Sequence, residues 1–303
     1  MANNVFVGTD STWTTTSNWS LGTPTGGQTV FLTNSNTVVT AGLDNHTTSL
    51  ASLSVAMDFT GRVGVNAVAG TSANTYLQIA SPLAVIGQPA SGGYTASGSN
   101  VFNWNAGTTG TNITVLNTAN SGSGSGQSPV KLLGSAMTIT LTGGIISVAS
   151  LPSETATINS MSVTSSGQAI PPQAYLGPGC NITALTVSSG YVCSYSQQAI
   201  PTALLVGNGA SLAHMGSGGF STLTIGAGAT ATYIGTGTIT TLTLTGVIDL
   251  SGGGGPVTLT NTSFYKGAVF KDPLGRSVFT NPPTLVNCSR SDISINLGNG
   301  RYT

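Results

Sequence analysis

The side chains in this 303-residue chain that could do chemistry are few: seven carboxylates, two histidines and three cysteines. The acids are Asp10, Asp44, Asp58, Glu154, Asp249, Asp272 and Asp292. Cleaving a glycosidic bond needs two placed carboxylates, or a base with cationic partners. None of the seven pairs within a D-x-D or E-x-x-D phrase, so the chain reads as a non-enzyme. Glu154 and Asp249 are accordingly expected to be replaceable by Ala with the fold intact. Asp44 and His46 share one face of a strand, although a turn aspartate explains the same spacing. His214, beside Met215, reads as a surface or core residue, and no G-x-S-x-G elbow marks a serine nucleophile. Cys180, Cys193 and Cys288 lack the close C-x₂-C spacing of a zinc site. Cys180 and Cys193 could meet on neighbouring strands, but burial is the ordinary state of a free cysteine. Calcium repeats would place an Asp in every turn, and this chain does not. Glycine pairs such as Gly207/Gly209 and Gly226/Gly228 precede no helical pattern, so they are turns rather than phosphate loops. No cofactor and no metal are expected.

Those sparse residues sit in an unusual background. Charged residues make up 5% of the chain, against about 25% in ordinary soluble domains. From 63 to 248 only Lys131 and Glu154 carry formal charge. Disordered chains share this polarity but lack regularly spaced Val, Ile and Leu, which recur here. The net charge of zero removes the electrostatic basis for nucleic-acid binding, and no apolar run reaches the length of a membrane span. The opening residues carry neither the basic nor the apolar region of a signal peptide. The expected location is therefore a virion surface, reached from a host cytoplasm. An extracellular or cell-surface site is the alternative.

The elements that must position everything are announced by a repeat. The phrases Ile182-Thr-Ala-Leu-Thr-Val187, Thr202-Ala-Leu-Leu-Val206, Ser221-Thr-Leu-Thr-Ile225 and Ile239-Thr-Thr-Leu-Thr-Leu244 close on apolar residues 19 positions apart. A period near 20 with alternating β-formers predicts stacked coils. The expected fold is all-β, a parallel β-solenoid of the right-handed β-helix kind with N- and C-terminal caps. A β-sandwich is the alternative. Val187, Val206, Ile225 and Leu244 are predicted to stack in one column.

The chain divides into four stretches. Residues 1–60 form an N-terminal cap with the first strands, and 61–128 an irregular β region ending near the loop-like Ser121-Gly-Ser-Gly-Ser-Gly126. Residues 129–263 hold the regular rungs, and 264–303 a C-terminal cap or docking segment. The first stretch carries Trp13, then Asn18-Trp19-Ser20, Gly22 and Pro24, followed by Val30-Phe-Leu32 and Leu50-Ala-Ser-Leu-Ser-Val55. This run resembles the opening of β-solenoid surface proteins of bacteria and phages, including passenger-type strand-repeat adhesins. The resemblance covers about the first 55 residues and implies architecture more than function. Trp13 and Trp19 are candidates to plug the open end of the first coil, with a sugar-stacking platform as the other reading.

The last stretch holds Lys266, Lys271, Arg276, Arg290 and Arg301 against Asp272 and Asp292, five minus two giving +3. With Phe270 and Phe279 these residues are the candidate docking surface, because Arg and aromatics favour interfaces. The function expected from all this is a non-enzymatic structural protein of a bacteriophage virion: an exposed capsid decoration, fibre or spike component. The alternatives are a bacterial adhesin or extracellular filament subunit, and a polysaccharide-depolymerising tailspike. Its expected partners are other virion subunits, further copies of itself (a trimer) and a host-surface glycan.

Overall fold

A computed structural model describes residues 2–67, 73–88, 101–108, 110–118, 128–168 and 170–298. It is a parallel β-solenoid of about 12 turns. Every pairing between its strands is parallel, which excludes the sandwich. Each regular coil runs from a long strand through a turn to a short strand, then through a second corner to the next long strand. Thus Ala156–Val163 stacks on Cys180–Val187, while Gln173–Leu176 stacks on Gly190–Ser194.

The long strands do not alternate strictly. In Cys180–Val187 the inward residues are Cys180, Ile182, Leu185 and Val187, with Thr183 and Ala184 both directed away from the core. The same break falls at 159–160 and 240–241. Two successive outward residues force a bend in the strand, so two stacks of strands enclose a core with three walls. Buried apolar residues from Phe6 to Ile293 form one continuous cluster along the axis. Each fully buried aliphatic side chain there contributes about 1.5–3 kcal/mol.

The expected column needs one correction. Val187 pairs with Leu205, Leu205 with Ile225, and Ile225 with Leu244. Val206 is 44% exposed. The steps are therefore 18, 20 and 19 residues rather than 19 each. In this phrase Ala203 to Val206 are all apolar, the strand's alternation points Ala203 and Leu205 inward, and the following turns take up the difference.

The two ends differ. At the N-terminal end, Asn3–Phe6 pairs with Thr29–Leu32 on one side only. Its other edge is met by residues 18–21 running back antiparallel. Val7 N–H donates to Asn18 O at 2.8 Å and Ser20 N–H to Val5 O at 2.9 Å. Trp19 belongs to this flap and packs on Trp13, both buried, edge to face at 4.6 Å, with Trp19 Nε1–H donating to Trp13 O at 2.7 Å. Phe6 packs on Trp19 at 5.0 Å and on Phe59 at 6.2 Å. The flap covers a strand edge, and both indoles are buried in the core cluster. At the C-terminal end, Leu274, Val278 and Leu285 are exposed.

Candidate functional site

Outward residues of successive coils stack into columns about 4.8 Å apart per strand, and one column gathers polar groups. Asp44 stands opposite Gln78, Gln78 opposite Asn105, and Asn105 opposite Leu133. Asp44 and Gln78 are exposed and Asn105 is half-buried. Asp44 Oδ1 lies 2.5 Å from His46 Nδ1, a hydrogen bond that holds its carboxyl below the usual range. Asn105 Oδ1 accepts from Gly107 N–H at 3.0 Å, and its amide nitrogen has no partner among the described residues. Neither end of the Gln78 amide has a partner among the described residues.

Two clefts flank this column. One, of about 420 Å³, is lined by Thr40, Leu43, Asp44, Asn74, Tyr76 and Gln78 among others. The second, of about 380 Å³, is lined by Leu133, Ser135, Ser153, Glu154 and Thr155 among others. Asn105 lines both. The wall between them is a hydrogen-bonded knot on Glu154. Its Oε1 accepts from Tyr76 Oη–H at 2.6 Å and Asn74 Nδ2–H at 2.7 Å, and its Oε2 from Leu151 N–H at 2.9 Å and Ser150 Oγ–H at 3.2 Å. Burial first, then this carboxylate, pushes the Tyr76 hydroxyl well above its ordinary range, so it stays a donor. Lys131, the other charged residue of the middle region, is 2% exposed. Burial lowers its pKa while the nearby Glu154 charge opposes that shift.

The sequence expectation for Glu154 is thus overturned. It joins the 149–154 turn to a segment some 80 positions earlier. Glu154→Ala should lower stability by about 2–4 kcal/mol, since it leaves the Leu151 N–H and the half-buried Tyr76 hydroxyl without their acceptor and takes from the mostly buried Asn74 one of its three. Glu154→Gln should cost less. Chemical denaturation of the two variants checks the order, and an Ala variant as stable as the parent would refute the role.

The C-terminal candidates separate by burial. Lys266, Lys271 and Arg290 are exposed. Phe279 packs partly against the core, whereas Phe270 lies wholly inside it, 5.8 Å from Phe264. Arg301 lies outside the described residues, as does the Ser121–Gly126 stretch. Arg276, at 6% exposure, is an interior residue. Its Nη1 donates to Tyr233 O at 2.8 Å, Leu250 O at 3.1 Å and Gly252 O, and its Nη2 to Gly235 O at 2.6 Å and Ile234 O at 3.0 Å. Its Nε–H donates to Gly255 O at 2.8 Å. Arg276 N–H is in turn received by Asp272 Oδ1 at 2.8 Å. Arg276 and Phe270 therefore cannot serve as surface contacts.

The same corner contains His214. Its Nε2 is 2.6 Å from Gly218 O, so that nitrogen carries the proton; buried Nδ1 has no partner among the described residues. Burial lowers its pKa, the carbonyl bond opposing, and its ring lies 4.9 Å from both Phe220, edge to face, and Tyr233, tilted. It is a core residue. The cysteines are free: Cys180 faces the core, where burial pushes its thiol up to about 12, and Cys193 belongs to a separate cluster on the far side of the short strands. They do not meet. No cluster of three or more His, Cys, Asp or Glu fit for a metal occurs among the described residues, and no helix there is long and apolar enough to cross a membrane.

Sequence reasoning missed Asn74, Tyr76, Gln78, Asn105 and Ser150. The only signal available was register: Gln78 is the polar member of an otherwise apolar strand, and Asn105 one of two asparagines in Val101–Asn105. No protein-family model, curated protein or solved structure matches this chain.

Proposed function

We propose that this protein is a non-enzymatic structural part of a bacteriophage virion surface, a decoration, fibre or spike component in which the solenoid is a stiff spacer. The observation that carries the reading is the continuity of the core along about 12 turns under a flank almost without charge. Such a body resists bending, since each coil is fixed to its neighbours by a full ladder of hydrogen bonds. The virion placement leans on the resemblance of the Trp13–Pro24 phrase to phage and bacterial solenoid proteins. Attachment is assigned to the C-terminal end, where Lys266, Lys271 and Arg290 accompany exposed Leu274, Val278 and Leu285. The neutral flanks favour lateral association, with a trimer as the expected form.

A depolymerising tailspike finds one point of support, because Asp44 and Glu154 border the same wall of Asn74 and Tyr76. Both Glu154 oxygens are already engaged by protein donors, however, which suits a structural anchor better than a proton carrier.

Mass spectrometry of purified particles tests the proposal. The protein is expected at fixed stoichiometry, and Lys266→Glu/Lys271→Glu/Arg290→Glu should reduce its occupancy several-fold with the β circular-dichroism signal unchanged. Absence from particles with recovery from a bacterial surface fraction would transfer the reading to an adhesin. Steady release of reducing ends from capsule would transfer it to a tailspike.

A further inference from the structure

We infer that the Asp44–Gln78–Asn105 ladder, with its two flanking clefts, is a groove for an uncharged oligosaccharide lying along the solenoid axis. The inference does not depend on the virion placement. The ladder offers hydrogen-bonding groups of mixed character on successive strands. Among the described residues, both ends of the Gln78 amide, the amide nitrogen of Asn105 and the second oxygen of Asp44 have no partner. Planar side-chain amides and carboxylates match pairs of neighbouring hydroxyls, which both donate and accept. Tyr76, held by its hydroxyl on Glu154, adds an immobilised aromatic wall, and a ring of that kind has an apolar face beside its polar tip. The spacing of about 4.8 Å along the axis lets an extended chain of rings touch several coils at once.

The same observations exclude competing ligands. Among the described residues no lysine or arginine lines either cleft, whereas Asp44 and Glu154 do. A phosphate or uronic acid would therefore meet carboxylates rather than Lys or Arg at the lining. A peptide adding as a strand needs an open sheet edge. The strand carrying Gln78, Leu77–Ala80, is paired on both sides, with Asp44–Ser49 and with Val101–Asn105. Among the described residues Leu43 and Leu133 are the only large aliphatic ones lining the two clefts, so apolar pockets for peptide side chains are lacking there.

The test uses the full chain on a printed array carrying neutral hexose and N-acetylhexosamine oligomers beside sialylated and uronic-acid ones. Retention is expected on neutral probes and not on acidic ones. Gln78→Ala/Asn105→Ser should weaken it at least tenfold at unchanged melting temperature. The Ser hydroxyl can still accept from Gly107 N–H, so the turn survives, and Gln78→Ala alone, which removes no contact, should give a smaller loss in the same direction. Asp44→Asn should admit uronic-acid probes. Absence of retention on every neutral probe, equal retention of acidic ones by the parent, or binding indifferent to both Gln78 variants would overturn the inference.

Discussion

Replacing Arg276 by Met is expected to open the last coils of the solenoid while the N-terminal coils stay folded. The guanidinium has five N–H donors, and here they serve six backbone carbonyls: those of residues 233, 234, 235, 250, 252 and 255. These belong to two successive corners, where the chain leaves the short strands Thr230–Tyr233 and Val247–Asp249 and cannot pair its own carbonyls in a ladder. Arg276 supplies from a later coil the donors that these corners lack. Met keeps the packing of the stem and removes every donor, leaving several carbonyls unsatisfied in the interior. A charge-assisted hydrogen bond contributes about 1.5–3 kcal/mol, and such bonds sharing one donor group do not add fully. A total near 4 kcal/mol is expected, among the larger effects of a single substitution. In a stack where each coil touches only its neighbours, a loss of that size acts locally. Hydrogen exchange followed by mass spectrometry should show faster exchange from about residue 230 onward and unchanged protection before about 200. Arg276→Lys should fall between the two, since one ammonium cannot span two corners. Unchanged exchange at the C-terminal end would refute the role.

Arg276 also marks the limit of what the sequence discloses. Grouped by composition with Lys266, Lys271 and Arg290, it reads as a surface cation, because charged residues are seldom buried. What buries it is a cluster of corner carbonyls, and backbone acceptors leave no trace in a residue alphabet. Glu154 escaped for a different reason: its partners Asn74 and Tyr76 come from a coil some 80 positions earlier, where no period links them. The architecture, in contrast, is written locally. Coils contact their immediate neighbours, so the alternation in Cys180–Val187 and Gly237–Leu244 and the glycine turns between them carry the fold in short phrases. Even there the step was legible only on average. Leu205 and Val206 are equally apolar, and the side facing the core is decided by the geometry of the strand. Trp13 and Trp19 were legible as large aromatics that seek burial, and both lie in the core cluster.

Gly235→Ala should have the other large effect, through close approach rather than lost bonds. At the corner after the short strands, successive coils bring their backbones into contact. A Cβ at Gly216 would lie 1.9 Å from Ser196 O, and one at Gly235 would lie 1.8 Å from Gly216 O. Neither is a flexible side chain that could swing aside, and neither glycine has positive φ, so crowding between stacked coils is what requires them. Relieving the contact means prising two coils apart where ladders lie on both sides of the corner. His214 and Tyr233, whose bonds to Gly218 O at 2.6 and 3.1 Å secure the same region, would shift as well. A cost of about 3 kcal/mol is expected, at the upper end of ordinary overpacking, with the thermal transition splitting in two as the stack uncouples there. Gly254→Ala is the control: its Cβ would meet nothing within 4 Å. That change should be neutral or stabilise by a few tenths of a kcal/mol through the unfolded chain. Calorimetry on the two variants decides the matter, and an equal effect at both positions would mean that backbone crowding between coils is not what holds glycine at this corner.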